Sequence, residues 1–197
     1  MENRSALTAH PGGNQYGRMA IALHWLTAML VVGSFTVGLS MVRMPLGRQK
    51  LEWYGWHKWI GITILLVTCL RLAWRATHAA PPPLSTMPQW QRRASLLVHR
   101  TLYLLLLVTP LSGWIYSSST GVQVVYLGLL PLPDLVPKDR VLARGLLALH
   151  LTLNFTLFSL VCVHTAAALK HHFIDRDTVL TRMLPSWRSA FQGKGPR

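Results

Sequence analysis

Three features predict an all-α membrane protein, a bundle of four transmembrane helices with both termini in the cytoplasm. The composition is apolar: of 197 residues, 51% are hydrophobic, eight are Trp, and the mean hydropathy is +0.31. Four runs are free or nearly free of charge, each about the length needed to cross a bilayer. The basic residues lie between and beside those runs. A net charge of +14, from 20 Lys and Arg against 6 acids, would point to nucleic acid in a soluble chain. Here positive-inside orientation and anionic lipid explain it, and no nucleic-acid partner is expected.

Taken in order, residues 1–18 form a short polar tail. Helix 1 is expected over 19–42, where His24 is the only ionisable side chain. This run is longer than the apolar core of a signal peptide and no small-residue cleavage site follows it. A polar link over 43–53, RMPLGRQKLEW, leads to helix 2 over 54–74, with His57 at its start and Arg71 at its other end. The next link contains Pro81, Pro82 and Pro83 and reads as extended. Helix 3 is expected over 95–116, with His99 near its start and Pro110 inside it, where proline kinks a membrane helix. The connection over 117–144 is too broken by Pro and Gly to be a fifth span. Helix 4 is expected over 145–172, followed by a basic cytoplasmic tail over 173–197, the whole chain forming one membrane-embedded domain. Cys69 and Cys162 show no CxxC spacing and read as buried free thiols.

Orientation follows from charge. The N-terminal tail, the link between helices 2 and 3 with its flanks, and the C-terminal tail hold 13 of the 20 Lys and Arg. The positive-inside bias puts these three segments in the cytoplasm, as in a multi-pass protein of the bacterial inner membrane.

Depth then pairs the histidines. His150 and His164 are 14 residues apart on helix 4, so both face within about 40° of one direction, roughly 21 Å apart along the axis. His24 lies near the start of helix 1 and therefore at the depth of His164. His57 begins the returning helix 2 and lies at the depth of His150. Ionisable groups inside a bilayer are costly and mark a site.

Two facing imidazoles at each of two depths suit two haem irons, each coordinated from both faces. A single four-histidine metal site is excluded by the roughly 20 Å between the pairs. Gly61, four residues beyond His57, and Gly38, at the depth of the His57/His150 pair, would leave bare backbone for a porphyrin. With both axial positions filled, such haems carry electrons. Arg71 lies at the depth of the inner pair, where it either meets a propionate or snorkels. Lys58 flanks the outer pair with the same alternatives, or anchors at the interface.

The segments IALHWLT (21–27), WHKWIG (56–61), HRTLYLLLLVTPLSGW (99–114), ALH (148–150) and VHTAAALKHHFIDRDTVLTRML (163–184) resemble the bacterial cytochrome b561 family in order and spacing. The resemblance implies a four-helix bundle holding two non-covalent b haems through His24, His57, His150 and His164. It is similar to the superoxide oxidase type, which implies superoxide as outer donor and ubiquinone as inner acceptor. The segment 117–144 departs from the pattern, and with it the outer substrate specificity.

The remaining candidates follow from that reading. A basic outer rim that includes Lys58 would steer a small anion. His171, seven residues beyond His164 and about 10 Å nearer the cytoplasm, or His172, would hydrogen-bond a quinone carbonyl and deliver protons. Alternatively these two meet a propionate or lie among lipid headgroups. His99 is a fifth histidine at the inner depth, a packing or supporting residue before it is a ligand. The other functional class is an anchor or relay subunit that exchanges electrons between the quinone pool and a partner redox protein such as a periplasmic donor.

Overall fold

The structure is a computed structural model that describes residues 15–84 and 87–185. The readings of residues 1–14 and of the tail beyond 185 fall outside the described residues. Four helices make the bundle, α1 Arg18–Arg43, α2 Arg48–Thr77, α3 Gln89–Thr120 and α4 Arg140–Phe173. All four are long and apolar enough to cross a membrane. Close backbone packing runs from α1 to α2, α2 to α3 and α3 to α4, so α4 faces α1 and α2 across a looser gap.

Each helix outlasts its apolar run. The polar link expected over 43–53 shrinks to Met44–Gly47, because α2 already begins at Arg48. There Arg48 pairs with Glu52 one turn on, at 3.0 Å. α3 starts at Gln89 behind Pro88, whose φ of −56° suits a helix start. It ends at Gly121, left-handed at φ +76°, with Gly121 N donating to Ser118 O and Val122 N to Ser117 O. That is the glycine-terminated helix end that a side chain would strain. α4 starts at Arg140 because Asp139 caps it, its carboxylate accepting from Val141 N at 2.7 Å and Leu142 N at 3.0 Å.

Between α3 and α4 stands a small antiparallel hairpin, Val125–Tyr126 (β1) against Leu130–Pro131 (β2). After α4 the chain reverses at Arg176, whose φ is +54°, and crosses the other end of the bundle as a 3₁₀ turn, Thr181–Met183. Trp25 Nε1 donates to Met183 O and Arg182 Nη1 to Pro82 O. This tail segment therefore ties the start of α1 to the proline link. The two ends of the bundle are called the tail end and the hairpin end below.

The core is a thin apolar layer of Val31, Ile64, Leu105, Leu106 and Leu157. Its members sit midway along the helices: Val31 is seven residues from His24, Ile64 seven from His57, and Leu157 lies halfway between His150 and His164. Outward faces are apolar and bare, as at Val32, Leu104 and Phe155, which is what a hydrocarbon solvent requires. Cys69 and Cys162 are on these outward faces and not buried as read from the sequence.

Candidate haem-binding site

The bundle brings the four histidines together in the expected pairs. His57 and His150 have ring centroids 6.4 Å apart, and His24 and His164 also 6.4 Å apart. An iron held by two imidazole nitrogens at about 2.0 Å, each about 1.1 Å in front of its ring centroid, sets the centroids about 6.2 Å apart. Both pairs match that spacing. His99 lies nearer, 5.2 Å from His164, too close for an iron between those two rings. Its Nδ1–H donates to Ser95 O at 2.7 Å within its own helix.

Ring orientation at the hairpin end is set by α3. His150 Nδ1 lies 3.1 Å from Thr109 O and 2.9 Å from Ser112 Oγ. A carbonyl oxygen only accepts, so Nδ1 carries the hydrogen and the lone pair is on Nε2. That is the tautomer needed for Nε2 to bind a metal, fixed from behind the ring. Its partner His57 has Ser34 Oγ 3.4 Å from Nδ1. The cavity between the two rings is lined by Val31, Ser34, Phe35, Gly61, Thr109 and Asn154 among others.

Glycines keep this space open. A Cβ on Gly38 would lie 3.2 Å from His57 Cε1, and one on Gly113 only 2.9 Å from His150 Cε1. At Gly61 the nearest atom would be Pro110 Cβ at 3.8 Å. Gly61 was legible from its offset of four residues to His57, and Gly38 from its offset of 14 residues to His24. Gly113, Ser112, Thr109 and Ser34 were missed, since they act across a helix interface. The one available signal was the placement of Ser112 and Gly113 on a span otherwise built of large apolar residues.

At the tail end, Arg71 Nη2 lies 3.4 Å from His24 Nδ1, and its guanidinium carbon sits 5.1 Å from the centre of the Tyr103 ring. Among the described residues no carboxylate pairs with Arg71. A cavity of about 180 Å³ opens beside it, lined by Arg71, Arg75, His78, Tyr16 and Tyr103. His171 is at this end too, its Nδ1–H donating to Asp177 Oδ2 at 2.6 Å with Asp175 Oδ2 at 3.2 Å. Lys170 holds Asp175 at 2.7 Å, so an ammonium already occupies this acidic cluster. His172 stands edge-on to Phe173 at 4.8 Å. At the hairpin end Lys58 points its ammonium at Val122 O, 3.5 Å away.

A four-helix membrane bundle with facing imidazoles spaced for iron defines a class, the membrane haem proteins that carry electrons. The family model described as prokaryotic cytochrome b561 matches residues 15–186, and the chain belongs to that family. Cytochrome b561 homolog 2 of Escherichia coli (strain K12) is 35% identical over 178 residues, 86% of this chain and 91% of the relative. Cytochrome b562 of Cereibacter sphaeroides is 30% identical over 183 residues, 90% and 98% of the two chains. A probable superoxide oxidase of Yersinia pestis is 27% identical over 178 residues, 88% and 98%. The chain is thus a multi-pass membrane protein of electron transfer in a family built around b-type haem.

Proposed function

We propose that this chain holds two haems b, one between His24 and His164 and one between His57 and His150, and passes electrons from a donor at the hairpin end to ubiquinone at the tail end. The carrying observation is that both imidazole pairs have the same 6.4 Å spacing at opposite ends of one bundle. His24, His57, His150 and His164 would hold the haems, which would supply one-electron transfer. The chain's own residues do the rest. Thr109 and Ser112 hold His150 in the metal-binding tautomer. Arg71 cannot donate to an Nδ1 that carries hydrogen, so when His24 binds iron through Nε2 the guanidinium turns to another acceptor, for which a propionate is the nearest chemistry.

In the cell the tail end faces the cytoplasm, both termini lie there, and the membrane is the bacterial inner membrane, following the distribution of Lys and Arg. The donor is superoxide: a small anion suits a rim carrying Arg43, Lys50, Lys58, Lys138 and Arg144, and one relative is named a probable superoxide oxidase. The overall reaction balances as two superoxide anions, one ubiquinone and two protons giving two dioxygen molecules and one ubiquinol. His171, with Nδ1 committed to Asp177, presents Nε2 to a quinone carbonyl and moves the proton.

The second reading, a relay or anchor subunit that trades electrons between quinone and a partner redox protein, draws on the plain cytochrome names of the relatives at 35% and 30% identity. Purified protein in detergent separates the two. Superoxide consumption by this chain alone, dependent on added ubiquinone, supports the oxidase. A protein with intact haem spectra and no such activity refutes it and leaves the relay.

A further inference from the structure

The hairpin between α3 and α4 does not stand above the bundle. Trp59 Nε1 donates to Val125 O at 2.6 Å, and the Tyr126 hydroxyl lies 3.0 Å from Thr63 Oγ1. Trp59 and Thr63 are two and six residues beyond His57 on α2, so about 3 Å and 9 Å nearer the bilayer centre. α3 had already climbed past that level. Pro110 opposes Gly61, and Thr120 lies ten residues, about 15 Å, further along, which places the end of α3 about 9 Å beyond His57. α4 starts at Arg140, about 15 Å beyond His150. The chain therefore leaves α3, descends along α2 to the depth of the His57 ring, and climbs again before α4 begins.

What descends suits lipid. From Gly121 to Pro133 there is no charged residue. Leu127, Leu129 and Leu130 are turned away from the protein, 54%, 85% and 57% exposed. The turn satisfies much of its own backbone, Gly128 N donating to Val125 O, Leu129 N to Tyr126 O and Leu132 N to Val124 O, as backbone in hydrocarbon must. Leu127 and Gly128 both have positive φ, +54° and +72°. At the first of these positions a hairpin facing water takes Asn or Asp, and a leucine there is strained. An apolar side chain is kept at the tip despite that strain.

We infer that this hairpin is a re-entrant interfacial anchor, with Leu127, Leu129 and Leu130 immersed in the acyl chains of the leaflet at the hairpin end. The inference is independent of donor and acceptor. A nitroxide label on Leu129→Cys, in a background of Cys69→Ser and Cys162→Ser, tests it in nanodiscs of phosphatidylethanolamine and phosphatidylglycerol. The expected result is power saturation by oxygen exceeding that by a water-soluble nickel chelate, with the reverse at a label on Asp134→Cys. Greater access to nickel than to oxygen at 129 puts the tip in water and overturns the proposal. Access to neither means that protein covers it, which overturns it equally. Leu130→Cys repeats the measurement should the label at 129 prevent folding.

Discussion

Gly113→Ala is the sharpest probe of the hairpin-end pair, because it alters neither histidine. The added Cβ would lie 2.9 Å from His150 Cε1 and 3.3 Å from Nδ1, where ordinary contact begins at 3.4 Å. The ring must retreat by about 0.5 Å, and it is pinned at Nδ1 by Thr109 O and Ser112 Oγ. Losing that hydrogen bond costs about 0.5–1.5 kcal/mol, and turning the side chain off its rotamer about 0.5–1.5 kcal/mol. Together these give about 1–3 kcal/mol, a roughly 5–150-fold weaker hold on haem at this pair. The assay is haem transfer to apomyoglobin with a haem count per chain. One of two haems should leave faster while the other keeps its rate. Gly145→Ala is the control, since nothing lies within 4 Å of that position. A Gly113→Ala protein that keeps both haems at unaltered rates would refute the argument.

Other outcomes follow from the same geometry. His57→Ala or His150→Ala should each remove one haem and leave the other, and His24→Ala or His164→Ala should do the converse, read by redox-resolved absorbance; four variants with full haem content reject the pairing. His99→Ala should retain both haems, since 5.2 Å from His164 is too short to bracket an iron; loss of the tail-end spectrum would show that the haem at that end depends on His99. Asp177→Asn should keep both haems but slow ubiquinone reduction, by up to the roughly 10²–10⁴-fold that a positioned general acid contributes; an unchanged rate removes Asp177 from positioning His171 for proton delivery.

Much of this arrangement was legible before any coordinates, because helical rise and span direction are rigid rules. Fourteen residues between His150 and His164 fix one face and two depths, and the reversal of direction between α1 and α2 assigns the partners. Helix ends were less legible. The apolar runs stop at the first charges, whereas α2, α3 and α4 run on through Arg48, Gln89 and Arg140, where long polar side chains reach the interface. Contacts between helices were not legible at all. Gly113 and Ser112 serve a histidine 37 and 38 residues away, and no periodicity within one helix reports that. The outward placement of Cys69 and Cys162 was misread for a related reason: in lipid, an apolar residue is as well served outside the bundle as inside it.

Both imidazole pairs draw one member from α4, the last span to be made. His24 therefore waits while 140 further residues, ending with His164, are added, about 7–28 s at roughly 5–20 residues per second. Neither pair exists while the ribosome is still at work on the third span, so on the proposed ligation haem would be held only after His164 has been made. A product truncated before α4 would reach the bilayer with neither imidazole pair.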